Sequence, residues 1–344
     1  MEKKLLNKFK VYQEAISIPE KIINFLEDDN NNYKSISNHL LSKSINNVVT
    51  VARGSSDNAA LYSSYLITRY TGLPVSSFPP SLITLEKSTI NFSKSLIIII
   101  SQSGMSDDLI ECSKKFKSMG AITVFISNNQ KSPIVNNCDY FLYLNAGKEV
   151  GIAATKTFIL SLIVILKITS PIKEDIINND LFIISNKLLQ KENIKWSAKY
   201  VKNSNNRGFI IGRGVGLAIA QEISLKFMEL SQEFIIPYSA AEILHGPRSL
   251  IDKKTKIFSV TMRDRSGRSI SKDLKKITPL TQYNYQFSTL IKNSNSYYSN
   301  ISPHMDLDPI VIMAKFYPWI IEYTKLKGLN PDKPRHLSKI TKTL

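Results

Sequence analysis

The residues best suited to chemistry stand where an apolar run, Ile97-Ile98-Ile99-Ile100, stops abruptly in Ser101-Gln102-Ser103-Gly104-Met105-Ser106-Asp107-Asp108. The switch predicts a buried strand delivering a loop to a helix N-terminus. The first N–H groups of a helix lack intrahelical acceptors and carry the positive end of its dipole, and the Ser103 and Ser106 hydroxyls can add to them. A phosphate would sit there well. A second loop, Arg53-Gly54-Ser55-Ser56-Asp57, follows the apolar run Val48 to Val51. Alone it reads as an ordinary strand-to-helix turn capped by Ser56 or Asp57. Beside Ser101 to Ser106, at the carboxyl edge of one parallel sheet where ligands collect, Ser55 and Ser56 become candidate ligands. Neither loop continues into the Gly-Lys-Ser/Thr of a nucleotide P-loop.

Glu222, Lys226 and Glu229 recur at intervals of four and three, so a helix presents two carboxylates and an amine on one face. A solvated face of ion pairs is the alternative. Against it, Ile219, Ile223, Leu225, Phe227, Met228 and Leu230 make the helix apolar over much of its circumference, and charges on a mostly buried helix are there for pairing or chemistry. Glu242-Ile243-Leu244-His245-Gly246-Pro247 holds one of four histidines, a side chain suited to proton transfer near neutrality but, taken alone, more often an ordinary surface residue. Gly212-Arg213-Gly214-Val215-Gly216 has the wrong spacing for a dinucleotide fingerprint, so neither nicotinamide nor flavin is expected.

The elements that must position these groups alternate between short β-rich runs and helical stretches, as in a parallel sheet covered by helices. Strands are predicted at Val48 to Val51, Val75 to Phe78, Ser95 to Ile100, Ile122 to Ile126 and Tyr140 to Leu144, with helices at Asp57 to Tyr70, Ser106 to Met119 and Ala153 to Ile168. The last is apolar nearly all round and is expected to be buried. A second unit opens after the Asn-rich joint Lys202 to Asn206. Gly208-Phe209-Ile210-Ile211-Gly212-Arg213-Gly214 repeats the layout of Val48-Val49-Thr50-Val51-Ala52-Arg53-Gly54, and Asp264-Arg265-Ser266-Gly267-Arg268-Ser269 echoes 101–106 after a strand at Ile257 to Met262. The reading is α/β, two tandem doubly wound parallel sheets related by internal duplication. Its segments are a helical 1–41, a first domain 42–170, a helical connection 171–201, a second domain 202–330 and a polar tail 331–344, by composition a surface extension.

With 344 residues, 43% hydrophobic, the chain can bury a large core. Its formal charge of +17 comes from scattered lysines without a helix-turn-helix, zinc-knuckle or aromatic RNA-binding signature, so no nucleic-acid partner is expected. Cys112 and Cys138 have no metal or redox spacing, and neither a metal nor an organic cofactor is expected. The stretch Phe158 to Ile168 is too short to span a bilayer and Met1 onward has no signal-peptide core, so a cytoplasmic protein without membrane contact is expected.

These motifs, in order with Ala153-Ala154-Thr155-Lys156-Thr157 and Pro334-Arg335-His336-Leu337-Ser338-Lys339, resemble the sugar isomerase (SIS) domain family. In particular the chain resembles the tandem-SIS isomerase half of glutamine:fructose-6-phosphate amidotransferases and stand-alone amino-sugar-phosphate deaminases and isomerases. The resemblance implies that Ser56, Ser101, Gln102, Ser103 and Ser106 hold a sugar phosphate, with Ser55 and Ala153 at the substrate. It implies Glu229 as the base moving a proton between C1 and C2, and His245 as the aid to ring opening, reached from a neighbouring subunit of a homodimer. Lys226 balances Glu222 and Glu229 or contacts substrate hydroxyls. Lys339 matches the family lysine that condenses with a ketose carbonyl, which turns the tail into a lid. Two departures stand out: no glutaminase domain or cysteine near Met1 is present, from which a glutamine-independent activity is expected, and Met105 replaces a common Glu or Arg. The expected reaction is isomerising deamination, glucosamine 6-phosphate to fructose 6-phosphate and ammonia. A phosphosugar aldose–ketose isomerase, a fructosamine-6-phosphate deglycase and a non-catalytic phosphosugar sensor are the alternatives. One phosphate site per chain is expected, in the first domain.

Overall fold

The computed structural model describes residues 5–27, 32–189 and 205–339. Most of the joint predicted at 202–206, the end of the 171–201 connection and the last residues of the tail lie outside the described residues.

Helices α1 (Lys10–Ile16), α2 (Ile18–Leu26) and α3 (Asn32–Leu41) open the chain. Then come β1 (Asn47–Val51), α4 (Ser55–Thr71), β2 (Val75–Ser77), α5 (Ser81–Thr84), β3 (Ser95–Ile100), α6 (Asp107–Phe116), β4 (Ile122–Ser127), β5 (Tyr140–Tyr143) and α7 (Lys156–Thr169). After α8 (Glu174–Leu189) the pattern restarts with β6 (Arg207–Gly212) and α9 (Val215–Lys226), which runs into a π-helical turn, Phe227–Ser231. The remaining elements are β7 (Phe234–Ser239), β8 (Lys256–Thr261), α10 (Arg265–Leu274), β9 (Tyr283–Ser288), β10 (Ser296–Tyr298) and α11 (Asp308–Leu326). The chain forms two compact units, one of Lys21–Glu149, Lys156–Asn178 and Ser338–Leu344, the other of Met1–Glu20, Val150–Thr155 and Asn179–Leu337.

In the first unit a five-stranded parallel sheet runs in the order β2-β1-β3-β4-β5. β3 is buried at every position, as its isoleucine run requires of a central strand covered on both faces. One face packs Val49, Val51, Ile97, Ile99 and Phe125 with a trio of edge-on rings, Phe78, Phe92 and Phe116, at 5.7 to 5.8 Å between centroids. Helix α7 is buried along its whole length, as its all-round apolar sequence predicts. It begins at Lys156 rather than Ala153, because Glu14 of α1 takes the N–H groups of Val150 and Gly151, the latter at 3.1 Å, and holds that stretch as a loop. Helix α6 is likewise shorter than predicted, closing at Phe116.

The second unit repeats the order exactly as β7-β6-β8-β9-β10, all parallel. Gly54 and Gly214, at the same place in the two copies, share φ of +57° with ψ of −129° and −136°, a region only glycine enters freely. The duplication thus extends to single dihedral angles. Sequence pattern places no strand at β7, β9 or β10, whose sequences are rich in Tyr and Ser, and no helix at α11, whose apolar run is interrupted by Pro318. The segment from Pro331 is not a loose extension: Pro331 and Pro334 are buried, and the Asp332 carboxylate accepts the Lys10 and Val11 N–H groups at 2.8 and 2.9 Å, closing the N-terminus of α1.

Candidate functional site

In the first unit the 101–106 loop leaves the carboxyl end of β3. Gly104 has φ of +60°, and a Cβ there would lie 2.3 Å from Ser132 Oγ and 2.8 Å from Phe125 Cζ, so both conformation and space demand glycine. Donors beyond β4 take the loop's carbonyls: Ser132 Oγ donates to Gly104 O at 2.7 Å, Asn129 Nδ2 to Ser103 O at 2.7 Å, and Asn128 N to Gln102 O at 3.2 Å. Fixing three carbonyls on one side sets the peptide planes of the loop. Within it, Ser101 Oγ accepts from Gly104 N and Ser103 Oγ from Met105 N. Ser106 stands at the N-cap of α6 without a side-chain cap bond, and the Asp108 carboxylate takes the Leu109 N–H of the first turn at 2.8 Å. Arg53 donates to Asp108 at 2.9 Å, tying the first turn of α6 to the Arg53–Ser56 loop, where Ser55 and Ser56 begin α4. The two predicted loops are therefore neighbours at adjacent strands β1 and β3.

The echo in the second unit is built differently. Asp264, at the N-cap itself, accepts the Gly267 N–H at 2.8 Å, the place that Asp108 of the first turn takes in α6. Ser266 Oγ also lies 2.4 Å from where a Cβ on Gly214 would stand. Asp108, Asn129 and Ser132 had escaped sequence reading, although the polar run 127–132 directly after a buried strand was a visible signal.

Also in the first unit, Glu149 is a missed residue with a fully buried side chain. It accepts the Thr157 hydroxyl at 2.6 Å at the start of α7, and Lys339 Nζ lies 3.7 Å from the same oxygen. The family-like lysine of the tail thus ends beside a buried carboxylate. Ala153 is buried in the loop before α7 and belongs to the second unit.

In the second unit Lys226, with no exposed side-chain surface, lies 2.5 Å from Glu229 Oε2 and 3.4 Å from Glu222 Oε1. Glu222 is equally buried, whereas Glu229 keeps 21% of its side chain exposed. Burial opposes the Lys226 charge, but the two carboxylates outweigh it and hold the ammonium above its ordinary range. Glu229 lies in the π-helical turn, a local geometry frequent at functional sites. Phe227 pins that turn against Phe258, Trp319 and Tyr323, with ring centroids 4.8 to 5.9 Å apart. Tyr317 of α11 donates its hydroxyl to Glu222 Oε1 at 3.1 Å. His245 is exposed between the 3-10 turns Glu242–Leu244 and Pro247–Leu250, and no hydrogen bond or ion pair among the described residues joins it to Glu229. The predicted face of Glu222, Lys226 and Glu229 is therefore a buried ion group, open to solvent at Glu229.

The SIS domain family matches residues 40–169 and 202–274, the greater part of both sheets. The chain belongs to the SIS domain family. With the sheet order repeated, it is a tandem SIS protein. It is 32% identical over 308 residues to the isomerizing glutamine–fructose-6-phosphate aminotransferase of Sulfolobus acidocaldarius, covering 86% of this chain and 50% of that one. This SIS chain spans about half the length of the curated relatives it matches. Among solved structures, the C-terminal domain of glucosamine-fructose-6-phosphate aminotransferase from Francisella tularensis shares its fold with a TM-score of 0.80 at 24% identity, covering 95% of this chain and 98% of that one. Glucosamine-6-phosphate deaminase from Thermotoga maritima does so with a TM-score of 0.73 at 20% identity, covering 97% and 100%. Among the described residues no helix is long and apolar enough to cross a membrane, and no group of three or more His, Cys, Asp or Glu is placed to hold a metal.

Proposed function

We propose that this SIS protein is an isomerising deaminase of an amino-sugar phosphate, converting glucosamine 6-phosphate to fructose 6-phosphate and ammonia. The observation that carries the reading is Glu229, a carboxylate with solvent access backed by a fully buried ammonium. A positioned carboxylate can move a proton between two adjacent carbons without a metal, an effect of roughly 10²–10⁴ in rate. The 101–106 loop, with Ser55 and Ser56 beside it, is the phosphate holder in this proposal. His245 opens the sugar ring, supplied by the second copy of a homodimer. Glu229 takes the C2 proton of the open-chain aldehyde to give an enolamine and returns it at C1. Water then adds to the resulting C2 imine, which releases ammonia and leaves the ketose. Lys339 closes over the substrate and is the amine available to a ketose carbonyl.

The test is a panel of hexosamine 6-phosphates, hexose 6-phosphates and fructosamine 6-phosphates, assayed for ammonia, released amine and ketose with the wild type and Glu229→Gln. The proposal expects ammonia and fructose 6-phosphate from glucosamine 6-phosphate, and phosphosugar binding without turnover in Glu229→Gln. Ketose formed without amine release identifies an aldose–ketose isomerase instead. Binding that leads to no product with any sugar identifies a sensor.

A further inference from the structure

Tyr317 lies 95 residues from Glu222 in the chain, yet its fully buried ring sends its hydroxyl to the Glu222 carboxylate. We infer that Tyr317 is a positioning residue for Glu229, acting through Glu222 and Lys226; the inference rests on the proton-transfer role proposed for Glu229. Two donors share one oxygen, since Glu222 Oε1 takes the Tyr317 hydroxyl at 3.1 Å and lies 3.4 Å from Lys226 Nζ. The ammonium sits closer to Glu229, at 2.5 Å. A buried carboxylate needs its donors, because burial without them costs more than any single bond contributes. The tyrosine meets part of that need, so Lys226 is free to lean toward Glu229 and hold its carboxylate in place.

Without the hydroxyl, Glu222 draws the ammonium to itself, and Glu229 loses the contact that fixes its rotamer. Among the groups that face Lys226 are Glu222 and Glu229 from its own helix and the adjoining π-turn, and through Glu222 the phenol of α11. Lys256 and Lys327 of the same unit are paired with Glu233. Pro318 follows Tyr317 inside α11 and removes one backbone bond there, while Phe316 and Trp319 anchor the helix against Phe227. The phenol is therefore carried by the same aromatic packing that fixes the π-turn.

The experiment uses full-length Tyr317→Phe and Tyr317→Leu with the amino-sugar phosphate turned over by the wild type, protonated or deuterated at C2. For Tyr317→Phe the expected result is a kcat lower by about tenfold, a KM within about twofold of wild type and a larger isotope effect on kcat, since proton transfer alone is slowed. Tyr317→Leu, which also loses the ring, should lower the unfolding temperature as well. A Tyr317→Phe enzyme with wild-type kcat and isotope effect overturns the inference. So does a loss shared by kcat and the unfolding temperature with the isotope effect unchanged, because that is a structural role only. If the wild type turns over no phosphosugar, the proposed function fails, and the inference is read instead from the Lys226 ammonium signal in ¹⁵N-lysine NMR, assigned with Lys226→Met. That signal should move in Tyr317→Phe, and an unmoved signal overturns the inference.

Discussion

Replacing Lys226 with Met removes the ammonium but keeps a side chain of similar length, which isolates its charge. Glu222, without exposed side-chain surface, then keeps the Tyr317 hydroxyl but loses the Lys226 cation. Breaking a buried pair from one side costs about 3–5 kcal/mol, and the remaining tyrosine bond places this case near about 3. At roughly 2–4 °C per kcal/mol, the unfolding temperature should fall by about 6–12 °C at pH 8. The pH dependence follows from signs. In the wild type the folded Lys226 value is raised above its ordinary 10.5, so its stabilisation is complete below that value and is lost only as pH rises through the folded one. Between pH 5 and 8 Lys226 therefore contributes no slope in the wild type. In Lys226→Met a buried carboxylate without its cation is raised above the unfolded Glu value of about 4.3, so stability is present below that pH and is lost as pH rises through the folded value. The gap between the two proteins should then widen from pH 5 to 8. Urea unfolding followed by circular dichroism measures it, and Lys226→Met/Glu222→Gln should recover most of the loss at pH 8 by removing the stranded charge. A gap that is constant with pH, or a double variant no better than the single, refutes the reasoning.

Two further outcomes follow from the first unit. Gly104→Ala places a methyl 2.3 Å from Ser132 Oγ at φ of +60°, so inorganic phosphate and phosphosugar binding by calorimetry should weaken at least about tenfold, and Ser132→Gly added to it should restore little because the backbone strain remains. Glu149→Gln removes the carboxylate 3.7 Å from Lys339, so brief trypsin treatment followed by mass spectrometry should show faster cleavage after Lys339 than in the wild type, while equal rates count against a pinned tail.

Read alone, the sequence determined the elements whose signal is local. The isoleucine run of β3, the all-round apolar α7 and the Gly-bearing turns after β1 and β6 announce themselves because burial on both faces, or a positive φ, restricts residue choice at that position. The duplication was legible for the same reason, and so were the 101–106 loop and the spacing of Glu222, Lys226 and Glu229. What only the tertiary structure decided are contacts between residues far apart in the chain, which leave no periodic trace. Examples are Asn129 and Ser132 on the carbonyls of the loop, Glu149 beside Lys339, Asp332 on the N-terminus of α1 and Tyr317 on Glu222. The π-helical turn at Glu229 belongs with them, since aromatic packing from α11 and β8 sets it. Even the difference between the two copies of the loop is tertiary in kind: the N-cap side chain closes α10 at Asp264, whereas in α6 Ser106 makes no cap bond and Asp108 of the first turn takes the N–H. A capping residue can be read from sequence, but whether its side chain turns in to close a helix depends on the loop geometry around it.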